Sequence, residues 1–402
     1  MSSTVSPHLS RLVQNMQESS TLRMAQLSRD LSAQGHHVIN LSIGEPDFTT
    51  PKHICEAAKK ALDEGYTKYT PVPGLPELRQ AIVTKFKRDN DLEFDINQIV
   101  VSNGAKQTIA NLSLALLDPG DEAILFSPYW VSYFEIVRMT GATPVPVYAG
   151  VEQDFKVQPD QLEAAITDKT RFVLFSSPCN PTGSVYTREE LEALAAVVAR
   201  HEGVYIISDE IYEYINFTDR HVSIGSLPSV KDRTITVNGF AKGFAMTGWR
   251  LGYMGAPPEI AKACAKIQGQ FTSGASAFGQ KAAAHALLSD LGPTREMCAA
   301  FRHRREVCYE LLSKIEGMKV NYPQGAFYFF PDISAFFGKT DGETVIENSD
   351  DFCEYLLHNA HVGTVAGTGF GAPNCFRLSY AASEEELREA IERIGNALAR
   401  LK

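Results

Sequence analysis

The sequence lacks the features expected of a secreted or membrane-spanning protein. Its seven cysteines, spread from Cys55 to Cys375, include no C-x-x-C pair, which argues against a disulfide framework and predicts reduced thiols and a cytoplasmic location. No apolar run approaches the roughly 20 residues that span a bilayer. The Ser-rich N-terminus, MSSTVSPHLSRLVQNMQESS, has no apolar core, so we expect no secretory signal.

Positive charge is also scarce. Lys and Arg together number 38 against 48 Asp and Glu, which gives a formal net charge of −10. An acidic, well-mixed surface argues against nucleic acid and anionic membranes as partners, and no recognition-helix motif indicates otherwise. A small anion could still bind in a locally basic pocket. At 402 residues, the chain is too long for one core, so two domains are expected.

Short apolar runs alternate with amphipathic helical patterns along most of the chain. This alternation predicts an α/β fold with a mostly parallel sheet flanked by helices on both faces. The clearest helix, Leu191–Val198, follows a capping box formed by Thr187 and Glu190. The predicted strands are Gln98–Ser102, Glu122–Phe126, Thr143–Val147, Arg171–Phe175, Val204–Ile207, Thr234–Val237 and Leu251–Met254.

The pattern changes after about Gly292. A long helical pattern, Pro293–Ile315, leads into a shorter mixed region and a capped final helix, Ser383–Leu401, while the N-terminal part contains a predicted helix, Thr21–Gln34. We therefore expect a second, smaller α+β domain built from both chain ends. The predicted division is a large domain over residues 46–292 and a small domain over residues 1–45 and 293–402.

Polar residues follow several predicted strands, where ligand sites of α/β proteins lie. Asn180 follows in "SSPCNPTG", Asp209 and Tyr212 in "SDEIY", and Lys242 in "NGFAK", while "NGAKQT" opens a helix. Alone, such an Asp is commonly a cap or turn residue and such a lysine a surface residue. Together and in this order they indicate a small-molecule site.

With other motifs, these residues resemble the pyridoxal-phosphate aminotransferases of fold type I. The motifs are "LSIGEPDF", "KYTPVPG", "NGAKQ", "SPYW", "SPCNPTG", "SDEIY", "AKGFAMTGWRLGY", "GAFYFF" and "FRLSYA". The resemblance covers nearly the whole chain and is closest to the bacterial-type aspartate (aspartate/prephenate) aminotransferase branch. It implies a bound pyridoxal 5′-phosphate and a homodimer with shared active sites.

The resemblance assigns Lys242 as the Schiff-base lysine of the cofactor. An amine must lose its proton before it attacks an aldehyde, so burial or nearby positive charge has to lower its pKa. The small and apolar neighbours of Lys242 suit burial, and Arg250 can supply the charge. In the family this arginine binds the cofactor phosphate, which a guanidinium fork matches.

The resemblance also assigns the rest of the cofactor site. The backbone N–H groups of Gly104, Ala105 and Lys106 would bind the phosphate at a helix N-terminus, where the helix dipole favours an anion. Tyr69 would reach the phosphate of the neighbouring subunit.

The ring of the cofactor would be held by four further side chains. Asp209 would pair with the protonated pyridine nitrogen, so that the ring can accept electrons. Asn180 and Tyr212 would hydrogen-bond the phenolic oxygen, and Trp130 would stack on the ring face.

For the substrate, Arg377 resembles the arginine that binds the α-carboxylate in a bidentate manner, and Gly44 would add its backbone N–H. Lys242, once released, would move the proton between the substrate Cα and the cofactor. In the branch that this sequence resembles, a lysine and an N-terminal threonine contact the distal carboxylate; here they would be Lys106 and Thr21. Lys106 could equally be a solvated residue at a helix start.

These assignments predict a ping-pong aminotransferase that acts on L-aspartate and L-glutamate with 2-oxoglutarate and oxaloacetate. Alternatives on the same fold are aminotransferases for alanine, aromatic amino acids or prephenate, and C–S lyases. A non-enzymatic sensor module of a transcription regulator would need an added DNA-binding domain, for which we expect no room. Many relatives carry serine where Ala241 or Gly239 stands, so a family hydroxyl contact to the cofactor has no counterpart there.

Two further patterns are interpreted as structural. "GTGFGA", over Gly367–Ala372, does not link a strand to a helix and is predicted to be a loop rather than a dinucleotide site. Cys353, His358 and His361 lack a second pair of ligands. No metal site is therefore predicted.

Overall fold

The computed structural model describes residues 8–16 and 20–402. The helices are α1 (Arg11–Asn15), α2 (Ser20–Ala33), α3 (Lys52–Asp63), α4 (Pro76–Asn90), α5 (Ala105–Leu116), α6 (Ser132–Arg138), α7 (Pro159–Ala165), α8 (Arg188–Ala199), α9 (Pro258–Phe271), α10 (Ala277–Leu288), α11 (Gly292–Leu312), α12 (Ser349–Asn359) and α13 (Glu384–Leu398). The strands are β1 (Ile39–Asn40), β2 (Ile99–Ser102), β3 (Glu122–Ser127), β4 (Thr143–Tyr148), β5 (Thr170–Ser176), β6 (Tyr205–Asp209), β7 (Thr234–Gly239), β8 (Gly252–Gly255), β9 (Tyr328–Phe329), β10 (Val362–Gly363), β11 (Val365–Ala366) and β12 (Phe376–Ser379).

The central sheet has seven strands in the order β2-β8-β7-β6-β5-β3-β4. Strand β8 runs antiparallel to both of its neighbours, and the other pairs are parallel. Each of the seven predicted strands is a member of this sheet, with ends that differ by at most two residues. The prediction of a mostly parallel sheet flanked by helices is therefore confirmed. Its inner strands are buried on both faces, which explains their continuous apolar runs.

Local capping signals correctly mark two helix starts. Thr187 caps α8 by accepting a hydrogen bond from the N–H of Glu190, and the Glu190 carboxylate accepts one from the N–H of Thr187. Ser383 and Glu386 form the same box at the start of α13. Each such cap stabilises a helix by about 1 kcal/mol. The "GTGFGA" segment contains only a short 3₁₀ turn, as a loop would.

A second core joins the two ends of the chain. Strand β1 pairs in parallel with β10, through Ile39 and Val362, and a three-stranded sheet has the order β11-β12-β9. Met24 of α2 packs in the same hydrophobic cluster as residues of α11, α12 and α13. This packing supports the small α+β domain, while the division at residues 45 and 292 stays a prediction. Within the described residues, no helix is long and apolar enough to cross a membrane.

Candidate active site

A cavity of about 410 Å³ lies at the ends of β5 and β6, beside the loop after β7. The second core also contributes to its wall, through Tyr328 of β9 and Arg377 of β12. The cavity is lined by every residue predicted for the site except Tyr69. These residues are Thr21, Gly44, Gly104, Ala105, Lys106, Trp130, Asn180, Asp209, Tyr212, Lys242, Arg250 and Arg377. Tyr69 is 97% exposed on the outer surface. A larger groove of about 670 Å³, beside α11, contains none of these residues.

Lys242 projects from the loop that follows β7. Its Nζ donates a hydrogen bond to the backbone oxygen of Gly44. Burial, together with the positive charges of Arg377 and Arg250, lowers the pKa of Lys242 to about 8, against the opposing effect of Glu45 and Asp209. The uncharged fraction of the amine near neutral pH is therefore larger than for an ordinary lysine, as a nucleophile or general base requires.

Asp209 is the last residue of β6 and is only 4% exposed. Its Oδ2 accepts a 2.6 Å hydrogen bond from the hydroxyl of Tyr133, and its Oδ1 accepts one from the N–H of Ile211 at 3.2 Å. Burial raises the pKa of Asp209 to about 6, although both hydrogen bonds oppose the increase. A buried carboxylate of this kind would be stabilised by a cation placed in the cavity.

Arg377 is almost fully buried on β12. Its Nη1 donates to Oδ1 of Asn180 at 3.0 Å and its Nη2 donates to the backbone oxygen of Ser42 at 2.6 Å, but its Nε has no hydrogen-bond partner among the described residues. Burial lowers the pKa of Arg377, and none of its described neighbours is an ion-pair partner. A guanidinium without a counter-ion at the wall of a cavity fits a carboxylate ligand.

The start of α5 and Arg250 form one cationic corner of the cavity. Gly104 precedes α5 with φ of +87°, and no side chain caps the helix. A Cβ atom on Gly104 would lie only 2.4 Å from Nη2 of Arg250, so glycine is what allows the guanidinium to approach the helix start. The N–H of Gly104 donates to the backbone oxygen of Ser102 at 2.8 Å, so of the three predicted backbone donors those of Ala105 and Lys106 remain available. Backbone donors beside a guanidinium suit a phosphate.

Lys106 and Trp130 contact each other at the cavity wall. Nζ of Lys106 lies 4.9 Å from the centroid of the Trp130 ring, and burial together with the charge of Arg250 lowers the pKa of this lysine. Thr21, on the first turn of α2, lines the same cavity. The positions of Lys106 and Thr21 are compatible with contacts to a distal carboxylate.

Two tyrosines that contact predicted site residues were not predicted individually. Tyr133 lies three residues after Trp130 and bonds to Asp209, and Tyr328 places its hydroxyl 2.8 Å from that of Tyr212. Tyr328 lies in "GAFYFF", a motif that carries the resemblance, and Tyr133 follows the motif "SPYW" by three residues; these locations were the available signal.

Gly239, one of the two positions at which the resemblance leads us to expect a serine, leaves little space for a side chain. A Cβ atom there would lie 2.9 Å from Cδ1 of Ile211 and 3.0 Å from the backbone oxygen of Leu251. The close packing around this position therefore agrees with a glycine rather than a serine.

The residues present fit pyridoxal phosphate, the cofactor that the resemblance implies. Arg250 and the uncapped start of α5 match its phosphate, and the buried carboxylate of Asp209 matches a protonated ring nitrogen. The amine of Lys242, with its lowered pKa, matches the aldehyde. Arg377 remains available for a substrate carboxylate.

Comparison with known proteins gives one consistent family. The family described as aminotransferase class I and II matches residues 36–394. A bifunctional aspartate aminotransferase and glutamate/aspartate-prephenate aminotransferase of Petunia hybrida is 48% identical over 399 residues, which cover 98% of this chain and 83% of that protein. An aspartate/prephenate aminotransferase of Cereibacter sphaeroides is 45% identical over 392 residues, covering 96% and 97%. The crystal structure of the aspartate aminotransferase from Rhizobium meliloti superimposes with a TM-score of 0.95 at 41% identity, covering 98% of this chain and 99% of that chain.

Proposed function

This chain belongs to the class I and II aminotransferases, and we propose that it transfers the amino group of L-aspartate, and of L-glutamate, to 2-oxoglutarate or oxaloacetate. The reaction is a ping-pong cycle with pyridoxal 5′-phosphate as the bound cofactor. The names of the relatives from Petunia hybrida and Cereibacter sphaeroides, which both include aspartate, support this substrate. Enzymes of this family are pyridoxal-phosphate enzymes, which supports the cofactor.

The single observation that carries the proposal is the meeting of Lys242, Asp209 and Arg377 at one cavity. An amine with a lowered pKa, a buried carboxylate and a buried guanidinium without a counter-ion supply a base, a charge for the ring nitrogen and a carboxylate ligand. Transamination needs all three.

Five groups of this chain would hold the cofactor. Arg250 and the backbone donors at the start of α5 would bind the phosphate, Asp209 the ring nitrogen, and Tyr212 with Asn180 the phenolic oxygen. When bound, the cofactor supplies an aldehyde that condenses with amines and a ring that accepts the electron pair of the substrate Cα–H bond. Lys242 would hold the cofactor through its amine.

Lys242 is also proposed to move the proton. Its Nζ, once free, accepts the proton from the substrate Cα and then donates it on the cofactor side, so one group acts as base and then as acid. The pKa of about 8 suits both steps, because the amine is neither permanently charged nor permanently neutral near that pH.

Substrate orientation is proposed to come from cationic groups at two sides of the cavity. Arg377 binds the α-carboxylate with its fork, and the backbone N–H of Gly44 adds a donor. Lys106 and Thr21 bind the distal carboxylate of aspartate or glutamate. The two 2-oxo acid acceptors are also dicarboxylates, so the same groups of the protein would bind them.

A homodimer with shared sites is part of the proposal. Tyr69 is 97% exposed and does not line the cavity of its own chain, so its phenol is free to reach the phosphate site of a second copy. The cytoplasmic location expected from the cysteine pattern stays a prediction.

The test is the visible absorption spectrum of the purified protein before and after L-aspartate alone. We expect a cofactor band that L-aspartate converts to the band of the aminated cofactor, and that 2-oxoglutarate then restores. A band that responds only to alanine, aromatic or sulfur amino acids would contradict the substrate, and no band after added pyridoxal phosphate would contradict the cofactor. Prephenate, which both relatives' names include, is tested as a further acceptor in the same cuvette.

A further inference from the structure

Tyr328 lies where the cofactor side and the substrate side of the cavity meet. Its side chain is fully buried on β9, the strand that pairs with the Arg377-bearing strand β12. Tyr212, by contrast, follows β6 of the central sheet. A residue that contacts both Tyr212 and Arg377 therefore connects groups supplied by two different sheets.

The hydroxyl of Tyr328 lies 2.8 Å from the hydroxyl of Tyr212. Only one hydrogen lies between the two oxygens, so one tyrosine donates and the other accepts. In the proposed function, Tyr212 donates its own hydrogen to the phenolic oxygen of the cofactor, so Tyr328 has to donate to Tyr212. This donation strengthens Tyr212 as a donor, because consecutive hydrogen bonds polarise one another.

The ring of Tyr328 contacts the guanidinium of Arg377. Cζ of Arg377 lies 4.6 Å from the centroid of the Tyr328 ring and 5.0 Å from that of Phe370. A cation is attracted to the face of an aromatic ring, and the two Nη bonds to Asn180 and Ser42 fix the ends of the fork. The rings therefore limit how far the guanidinium plane can rotate.

The backbone at Gly44 accommodates this arrangement. A Cβ atom on Gly44 would lie 2.8 Å from the hydroxyl oxygen of Tyr328, so glycine leaves space for that hydroxyl to reach Tyr212. The same Gly44 provides the backbone oxygen that accepts the hydrogen bond from Lys242.

We propose that Tyr328 is a positioning residue with two separable roles. Its hydroxyl directs and strengthens the donor hydroxyl of Tyr212, and its ring orients Arg377 toward a carboxylate. The inference rests on the proposed function, since it gives Tyr212 and Arg377 their partners.

Two substitutions separate these roles. Tyr328→Phe keeps the ring and removes the hydroxyl, whereas Tyr328→Met removes both while keeping much of the volume. Tyr355→Phe is the matched control, because Tyr355 is also buried and its hydroxyl donates to the backbone oxygen of Ala397, outside the cavity. Each variant is measured for the pH midpoint of the absorption change of the bound cofactor, for the Kd of the non-reactive dicarboxylate succinate and for melting temperature.

We expect Tyr328→Phe to raise the pH midpoint by about 0.5 to 1 unit, because a weaker donor at Tyr212 stabilises the phenolate of the cofactor less. Its Kd for succinate should stay within about twofold of wild type. Tyr328→Met should raise the midpoint similarly and weaken succinate binding about tenfold. Tyr355→Phe should lower only the melting temperature.

Each role can be overturned separately. An unchanged midpoint in Tyr328→Phe, or an equal shift in Tyr355→Phe, would overturn the hydroxyl role. Equal succinate affinity in Tyr328→Met and wild type, measured also on the cofactor-free protein, would overturn the ring role. A wild-type protein without any cofactor band would instead contradict the proposed function, and the hydroxyl role with it.

Discussion

The hydroxyl of Tyr133 donates a 2.6 Å hydrogen bond to Oδ2 of Asp209, and no cationic side chain among the described residues forms an ion pair with that carboxylate. The contact joins α6 to the end of β6 and fixes the carboxylate at the wall of the cavity. In the cofactor-free protein this group is costly, because burial raises its pKa to about 6. A positively charged ligand, such as the protonated ring nitrogen of the proposed cofactor, would account for its presence.

Replacing Asp209 by Asn should therefore stabilise the cofactor-free protein while it impairs catalysis. Between about pH 4 and pH 6 the folded wild type retains a proton that the unfolded chain loses, so its stability falls as pH rises through this range. Asn does not titrate, so the stability of the variant relative to wild type should increase across that range by at most about 3 kcal/mol and then stay constant. Turnover should decrease on the order of 10²- to 10³-fold.

The measurements are thermal melting of both cofactor-free proteins from pH 4 to pH 8 and steady-state rates with L-aspartate. Asp154, a partly buried carboxyl outside the cavity whose pKa burial also raises, provides the control variant Asp154→Asn. It should change the pH dependence of melting without the loss of turnover. Identical pH dependence of melting in wild type and Asp209→Asn would contradict the raised pKa.

Replacing Gly104 by Ala should weaken cofactor binding. The added Cβ would lie 2.4 Å from Nη2 of Arg250. We therefore expect it to displace the guanidinium from the phosphate site. Loss of a charge-assisted hydrogen bond of about 1.5–3 kcal/mol predicts a roughly 10- to 150-fold higher Kd for pyridoxal phosphate. The Kd is measured by fluorescence titration of the cofactor-free protein.

Gly120→Ala is the matched control for this change. Gly120 has a similar positive φ of +99°, but a Cβ there would meet nothing within 4 Å. Both variants carry a backbone strain of roughly 1–2 kcal/mol, so both should lose stability, and only Gly104→Ala should lose cofactor affinity. Equal affinity in the two variants would show that Arg250 does not need the space at Gly104.

The sequence was sufficient for the central sheet and for most of the site wall. Strands such as β3 and β5 are continuous apolar runs, because a parallel sheet is covered on both faces, and they can be recognised without knowledge of the fold. The antiparallel direction of β8 could not be predicted, since its apolar residues are the same in either orientation. Strands β9 to β11 have only two residues each, too few to show a periodicity.

The part of the site that the sequence could not predict consists of contacts between distant parts of the chain. The resemblance provides Asp209 and Tyr212, but their partners Tyr133 and Tyr328 lie 76 and 116 residues away in sequence. Nothing in the local pattern of a tyrosine distinguishes a hydrogen bond to a catalytic group from ordinary packing. The role of Tyr69 stays a prediction, because its proposed contact is with the phosphate site of a second copy of the chain.

The amine of Lys242 should react with the cofactor at a rate that follows its lowered pKa. Only the uncharged amine attacks an aldehyde, so the rate of covalent incorporation of pyridoxal phosphate should rise with pH to a midpoint near 8. Stopped-flow absorbance after mixing with cofactor-free protein measures this rate. Lys242→Ala should show no covalent product after borohydride reduction, whereas the exposed control Lys314→Ala should match wild type. A midpoint near the ordinary value for lysine would contradict the burial of this amine.

Replacing Arg377 by Lys should raise the KM for both aspartate and 2-oxoglutarate. Lysine keeps the charge but lacks the planar fork that binds a carboxylate through two parallel hydrogen bonds. The lost bond is worth about 1.5–3 kcal/mol, which predicts a roughly 10- to 150-fold increase in KM. The Kd for pyridoxal phosphate should not change, because the phosphate site lies at Arg250.

Arg305→Lys is the control, since Arg305 is equally well buried but bonds to Glu306 and the backbone of Pro323, outside the cavity. A KM that rises as much in the control as in Arg377→Lys would exclude a specific role of Arg377 in carboxylate binding.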